Sequence, residues 1–169
     1  MSKYKFIRWT VYIAETILLY IIQLTPGLLP AVGGVRPVLL ISSALCIAMF
    51  EGDMGGLFIG ILSGFFIDLG GNSVIGFHSI LLGLCCYFIG LLTMQLVRTN
   101  ILTCLMFGAV SIVLICFSQW FFYFVIWRYL DQGYALLHHY LPKMAYTFCV
   151  LPVLYFFNRV FALRLGEAA

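Results

Sequence analysis

The sequence contains very few charged residues. Asp, Glu, Lys and Arg together make up 9% of its 169 residues, whereas a soluble domain averages about a quarter. Hydrophobic residues make up 64% of the chain, and its mean hydropathy is +1.11. A chain with so little charge cannot cover a surface that faces water. We therefore predict an all-α integral membrane protein in which residues 1–169 form a single polytopic domain.

Several motifs that mark chemistry or nucleic-acid binding are also missing. The formal net charge is only +3 and is dispersed along the chain, which argues against a nucleic-acid partner. The sequence has no glycine-rich phosphate loop of the Walker or Rossmann type and no His-Glu-x-x-His zinc motif. The six cysteines lie in apolar runs without a C-x-x-C pair, so we interpret them as small buried side chains. We predict a protein that is not an enzyme and uses no metal or cofactor.

The hydrophobic residues fall into six segments, which predicts a six-helix transmembrane bundle. The predicted helices cover about residues 6–25, 37–50, 54–69, 76–96, 101–127 and 143–163. If both termini are cytoplasmic, six of the nine Lys and Arg residues lie on the cytoplasmic side. Because cytoplasmic loops carry an excess of basic residues, this bias predicts that the N-terminus and the C-terminus both face the cytoplasm.

Glycines recur at every fourth position of the third predicted helix and just before it, at Gly52, Gly56, Gly60 and Gly64. Glycine costs roughly 1 kcal/mol relative to alanine inside a helix in water, so four glycines in register need a reason. In lipid, small residues four apart form a groove into which the backbone of another helix can press. The pattern predicts close helix packing and leaves open whether the second helix belongs to this chain or to a partner.

A second series of small residues follows in the fourth predicted helix. Its members recur at alternating spacings of three and four residues, and they are Gly76, Ser79, Gly83, Cys86, Gly90 and Thr93. Spacing of this kind places them along one face of a helix. We predict a second face for packing or for docking a partner, to which the glycines and Ser79 contribute most.

Ionisable side chains within apolar segments are candidates for function. Glu15 lies near the middle of the first predicted helix, away from any Lys or Arg. It is either a proton or substrate site or a packing residue hydrogen-bonded to Ser, Thr or backbone groups. Arg36, Asp68 and His78 fall at the outer ends of the next three predicted helices. We predict an outer cluster in which Arg36 pairs with Asp68 and His78 lies close by, as structural contacts or as a ligand site.

Residues 36–95 contain Arg36-Pro37, a glycine-rich run that ends in Asp68-Leu69, and Gly76-x-His78 after a short Gly/Ser loop. In these features they resemble the rod shape-determining protein MreD family. That family shows Arg-Pro at the start of a helix, a glycine-rich helix ending in Asp-Leu, and a short Gly/Ser loop before Gly-x-His. The matching positions here are Arg36, Pro37, Gly56, Gly60, Gly64, Asp68, Leu69, Gly76 and His78. The chain differs from the pattern at Val38, where an acidic or amide residue is usual, and at Val74, where a proline is common.

The resemblance implies a non-enzymatic scaffold that regulates cell shape within the bacterial elongation (rod) complex. Proteins similar to MreD are multi-pass proteins of the cytoplasmic (inner) membrane that bind the bitopic protein MreC. Through MreC they support peptidoglycan synthesis by RodA and a class B penicillin-binding protein, and MreB filaments are an indirect partner. Membrane lipid is a further expected partner, and the resemblance leaves open whether the chain forms a homodimer.

A second function also stays open. The six-helix arrangement of the MreD family is similar to that of the substrate-binding subunits of energy-coupling-factor transporters. A subunit of this kind would bind a small molecule or a lipid in an outward pocket around Glu15, Arg36, Asp68 and His78. A roomy polar cavity among the first, third, fourth and sixth predicted helices favours this binding function, whereas a filled bundle favours the scaffold.

Overall fold

A computed structural model of the chain describes residues 3–25, 27–28, 30, 35–71, 74–95, 99–126, 133 and 136–166. Within these ranges the structure consists of helices and turns and contains no β-strand. The α-helices are α1 (Lys3–Leu24), α2 (Leu39–Gly70), α3 (Phe77–Gln95), α4 (Ile101–Trp120) and α5 (Leu141–Gly166). π-helical segments continue α4 over Phe121–Ile126 and precede α5 over Leu136–Tyr140.

Five helices in the described part of the chain are long and apolar enough to cross a membrane. They span Phe6–Leu24, Leu39–Gly70, Phe77–Gln95, Ile101–Tyr123 and Leu136–Ala162. Their outward faces carry large apolar side chains, and Ile80, Leu102 and Val153 are 72%, 68% and 66% exposed. Apolar surface of this extent is stable against lipid and not against water. The chain is therefore an all-α, multi-pass membrane protein, which confirms the prediction from composition.

The second and third predicted helices, at 37–50 and 54–69, form one sharply bent helix, α2. A Cβ placed on Gly56 would lie 2.9 Å from the Cβ of Ala48, although residues eight apart in a straight helix are separated by roughly 12 Å. The two halves of α2 (39–51 and 53–70) therefore fold back on each other as a hairpin. The described residues thus contain five long helices where the sequence predicts six, because a single residue and not a loop makes the turn.

Gly52 makes this turn. Its φ of 81° and ψ of −165° are not helical, and a positive φ is accessible to glycine at little cost. A side chain at this position would also meet the sulfur of Met94, and the carbonyl oxygen of Gly52 leaves no room for one on Gly90. Gly52 is therefore required by its backbone conformation, and Gly90 is required by the close approach of the two helices.

Small residues in the second half of α2 pack against small residues of α3. The contacting pairs, called the glycine ladder below, are Gly52 with Gly90, Gly56 with Cys86, Gly60 with Gly83, and Gly64 with Ser79. A Cβ on Gly60 would lie 2.8 Å from Gly83 Cα, and one on Gly64 would lie 2.5 Å from Ser79 Cα. Because the numbers rise along one helix as they fall along the other, the helices are antiparallel and meet backbone to backbone.

The glycine ladder answers the question that the sequence leaves open. The two small-residue faces fill each other, so they are internal packing surfaces and are not free to dock the helix of a partner. Gly76 differs from the prediction, because it precedes α3 in a turn with a φ of 98° and a Cβ there would have nothing within 4 Å. Gly76 is therefore a turn residue and not a packing residue.

The first half of α2 forms the centre of the bundle. Every residue from 39 to 49 is buried, as expected for a helix that is apolar on all sides. Helix α5 runs beside it: Ser42 Oγ donates a hydrogen bond to the carbonyl oxygen of Thr147 at 3.1 Å, and the backbone N–H of Val38 donates to Thr147 Oγ1 at 3.1 Å. These hydrogen bonds satisfy polar groups that have no water to bond to inside the membrane.

We expect Gly64→Ala to lower the thermal stability of the protein. The new Cβ would press on the α3 backbone at Ser79 Cα, and overpacking of this kind costs about 1–3 kcal/mol. Gly70→Ala is the matched control in the same helix, because its Cβ would meet only side-chain atoms of Tyr20 and Leu24, at 3.2 Å. Thermal unfolding of both purified variants in one detergent checks this. A Tm for Gly64→Ala equal to that of Gly70→Ala would contradict the ladder.

Candidate functional site

Asp68 and His78, two of the predicted site residues, meet where α2 passes to α3. Oδ1 of Asp68 lies 2.6 Å from Nδ1 of His78 and accepts a hydrogen bond from the backbone N–H of His78 at 3.3 Å. Oδ2 accepts a hydrogen bond from the backbone N–H of Gly76 at 2.8 Å. Both side chains are buried. The carboxylate thus ties the end of α2 to the start of α3, where the first backbone N–H groups have no partner within the helix.

Arg36 does not join this cluster. It is exposed, and it forms no ion pair with any residue that the structure describes. The predicted pair between Arg36 and Asp68 is therefore wrong. The physical reason is that the imidazole of His78 and two backbone N–H groups already hold the oxygens of the Asp68 carboxylate.

Tyr123 adds a contact at this junction that the sequence did not predict. The backbone N–H of Val74 donates a hydrogen bond to Tyr123 Oη at 2.7 Å, and the ring of Phe77 lies 5.1 Å from that of Phe122. Val74 stands where the MreD pattern commonly has proline, which has no N–H to donate. The π-helical end of α4 is therefore anchored on the turn between α2 and α3.

A cavity of about 540 Å³ opens at the same end of the bundle. Its described lining residues are Tyr20, Gln23, Leu24, Val38, Ile41, Ile67, Gly70, Gly71, His78, Gln119, Tyr123, Tyr140 and Lys143. They come from the end of α1, both ends of α2, the start of α3, the end of α4 and the start of α5. The volume is in the range of small-molecule sites, which is about 300–1,000 Å³.

Lys143 gives this cavity its charge. Its Nζ donates a hydrogen bond to Gln119 Oε1 at 3.2 Å and lies 5.9 Å from the ring centroid of Tyr140. Among the described lining residues there is no Asp or Glu, and Lys143 is the only Lys or Arg. The cavity therefore combines tyrosine rings, two glutamine amides and one ammonium group.

The cavity differs in composition from the predicted pocket. His78 lines it, but Glu15, Arg36 and Asp68 are not among its described lining residues. Lys143 and Gln119 were not predicted as site residues. No spacing pattern could have found them, because nothing in the sequence shows that the end of α4 meets the start of α5.

Glu15 is buried elsewhere, between α1 and α5. Its Oε1 accepts a hydrogen bond from Asn158 Nδ2 at 2.8 Å, and the same amide nitrogen donates to the carbonyl oxygen of Leu154 at 3.1 Å. Glu15 is thus a hydrogen-bonded residue whose partner is a side-chain amide and not the predicted hydroxyl or backbone group. The signal in the sequence was Asn158 itself, an amide within the apolar run of the last helix.

A further ion pair lies at the end of the bundle opposite the cavity. Arg8 Nη2 donates a hydrogen bond to Glu51 Oε2 at 3.0 Å, and its Nε lies 2.5 Å from Glu51 Oε1. The side chain of Glu51 is only 3% exposed. The pair joins the start of α1 to the bend of α2 next to Gly52, which the sequence analysis did not predict.

The arrangement is suited to binding. The described lining residues include no Ser, Thr or Cys that His78 could activate as a nucleophile. No group of three or more His, Cys, Asp and Glu among the described residues is placed to hold a metal ion. Tyrosine hydroxyls, glutamine amides and the Lys143 ammonium group can instead orient a ligand through hydrogen bonds and charge, with apolar walls supplying most of the contact area.

We expect Asp68→Ala and His78→Ala each to lower the Tm, and their effects to be less than additive in the double variant. Asp68→Ala leaves the N–H of Gly76 without its acceptor, which costs about 1–3 kcal/mol. Because Asp68 and His78 contact each other directly, each single variant loses the same interaction, and the double variant loses it only once. Arg36→Ala is the control and should leave the Tm nearly unchanged. An Arg36→Ala variant as unstable as Asp68→Ala, or fully additive effects, would refute the junction described here.

We expect Asn158→Leu to destabilise the protein more than Glu15→Gln does. Asn158→Leu removes the donor and leaves a buried carboxyl oxygen without its hydrogen bond, whereas Glu15→Gln keeps an oxygen acceptor. Hydrogen bonds between membrane helices contribute about 0.6–2 kcal/mol. Unfolding of the two variants in the same detergent measures the difference. The assignment fails if Glu15→Gln is the less stable of the two.

Comparison with known proteins returned no match: no family model, no curated protein and no solved structure is significantly similar to this chain. The resemblance to the MreD family therefore rests on the residues quoted above and stays a prediction. The function has to be inferred from those residues and from the geometry of the bundle.

Proposed function

We propose that the chain is a non-enzymatic membrane scaffold of the bacterial elongation (rod) complex, the role that its resemblance to the MreD family implies. The observation that carries the proposal is that six of the nine motif residues of the resemblance belong to one structural unit, the contact and junction between α2 and α3. The motif glycines of α2 pack against α3 in the glycine ladder, and Asp68 closes the junction through Gly76 and His78. Residues used in this way fix the arrangement of helices, which is what a scaffold requires.

The proposed topology has six membrane-crossing segments, with the N-terminus and the C-terminus in the cytoplasm of the cell and the chain in the cytoplasmic (inner) membrane. The two halves of α2 count as two segments because they run in opposite directions. Six segment ends line the cavity, and segment ends near Arg8, Gly52 and Met94 lie at the opposite end of the bundle. Successive segments therefore run in opposite directions between the two ends. An even number of crossings agrees with the excess of basic residues predicted for the cytoplasmic side.

MreC is the proposed direct partner, through its transmembrane helix. RodA and a class B penicillin-binding protein are then reached through MreC, and MreB filaments indirectly. Because α3 fills the small-residue groove of α2, a partner helix has to contact a different surface. The large apolar side chains on the outward faces of the bundle are available for such a contact.

The scaffold function predicts complementation. In a rod-shaped bacterium depleted of its own MreD, expression of this chain should restore rod shape, and MreC should co-purify with it from solubilised membranes. Gly64→Leu should restore neither rod shape nor MreC binding. The leucine side chain would overlap the α3 backbone, so the helices could not pack and the protein level should fall.

Gly70→Ala is the matched control for that experiment, because its new Cβ would meet side-chain atoms of Tyr20 and Leu24 and no backbone atom. It should restore rod shape as well as the natural chain does. Cells that stay round and retain no MreC, although the natural chain accumulates at a normal level in the membrane, would overturn the scaffold proposal for this chain.

A second candidate function is the binding of a small molecule or a lipid, as in the substrate-binding subunits of energy-coupling-factor transporters. The specific observation in its favour is the polar-lined cavity of about 540 Å³, since a filled bundle would have favoured the scaffold alone. The cavity lies at the end of the bundle that is predicted to face outward, so a ligand would reach His78, Lys143 and the glutamines from the outer face of the membrane.

A further inference from the structure

The charge of the cavity indicates what kind of ligand it accepts. The ammonium group of Lys143 is partly buried, and a charge that loses hydration needs a partner that compensates for the loss. The described partners of Lys143 are the neutral oxygen of Gln119 and the ring of Tyr140. Neither carries an opposite full charge, and no carboxylate is among the described lining residues.

Asp68 and Glu15, the two carboxylates predicted for this pocket, do not compensate for Lys143. Asp68 does not line the cavity, and its carboxylate is held by His78 Nδ1 and by the backbone N–H groups of Gly76 and His78. Glu15 is hydrogen-bonded to Asn158 and does not line the cavity. Among the described residues, the side of the cavity formed by α4 and α5 therefore carries a positive charge with no carboxylate beside it, and an anionic group from a ligand would supply a counter-charge.

The other lining residues indicate the chemistry of the uncharged part of the ligand. Leu24, Val38, Ile41 and Ile67 supply apolar surface, and the tyrosines supply rings with polar edges. His78 uses Nδ1 for Asp68, so Nε2 is the ring nitrogen that can contact a ligand. A small inorganic anion alone would leave most of this volume unfilled.

We propose that the cavity binds an amphiphilic molecule through an anionic phosphate or carboxylate group, with Lys143 as the counter-charge and Gln119 as the residue that positions Lys143. The inference rests on the second candidate function, the binding of a small molecule or lipid. The ligand is either an anionic lipid from the surrounding bilayer or a soluble organic anion, because both present the same chemistry to Lys143. Its apolar part packs against the tyrosine rings and the aliphatic side chains.

The test uses the purified full chain in a neutral detergent and measures saturable binding of four probes by calorimetry. Dioctanoyl phosphatidylglycerol represents the lipid source, phenyl phosphate and benzoate represent the soluble source, and dioctanoylglycerol is the uncharged comparison. At least one anionic probe should bind the natural chain. Lys143→Met should weaken that binding about 10- to 100-fold, the range expected for hydrogen bonds to a charged group, and Lys143→Arg should restore most of it.

Arg159→Gln is the matched control, because it removes one positive charge from the exposed far end of the same helix. It should leave the affinity for the anionic probe unchanged. Should Lys143→Met not fold, Gln119→Leu tests the same idea, since it removes the acceptor that holds Nζ and should weaken binding about 2- to 10-fold. The Tm of each variant without probe shows whether it is folded.

The outcomes separate this proposal from the function on which it rests. If dioctanoylglycerol binds the natural chain and Lys143→Met equally well and no anionic probe binds better, the cavity is a ligand site but the anionic specificity is wrong. If an anionic probe binds with the same affinity to Lys143→Met, the lysine is not the counter-charge and the proposal fails. If no probe binds saturably, both the anionic site and the binding function are overturned.

Discussion

The backbone contact between the second half of α2 and α3 is the constraint on which the other features depend. In lipid, helices gain nothing from hiding apolar side chains from water, so they associate where the backbones approach closely and pack well. Gly60 and Gly64 allow that approach, since even a methyl group would overlap the α3 backbone. The contact fixes the antiparallel register of the two helices, and the register in turn brings Asp68 to the start of α3.

The position of the cavity follows from the unequal halves of α2. From the bend at Gly52, the first half ends at Leu39 and the second half at Gly70, so the second half is longer by roughly 8 Å at 1.5 Å per residue. The first half is the buried centre of the bundle, and the bundle therefore lacks a central helix at the end opposite Gly52. Val38 and Ile41 form the inner wall of the space that remains, and the surrounding helix ends complete it.

The sequence predicted those features that depend on one segment at a time. Composition set the membrane class, and the spacing of Gly56, Gly60 and Gly64 identified a packing face. Spacing does not say which faces meet, so the pairing of the two small-residue series required the structure. Contacts between distant segments, such as Lys143 with Gln119 and Glu15 with Asn158, were missed for the same reason. The predicted pair of Arg36 with Asp68 was wrong because two residues at the same membrane surface need not contact each other.

A ligand cavity and a scaffold are compatible in one bundle, because they use different surfaces. The cavity is lined by helix ends, whereas a partner helix would contact the lipid-facing sides. The ends of α1, α4 and α5 line the cavity, and these helices also carry much of the exposed apolar surface. A ligand can influence assembly only if it binds one arrangement of these helix ends more tightly than another. Because the contact between α2 and α3 is fixed, α1, α4 and α5 are the helices whose arrangement a ligand could select.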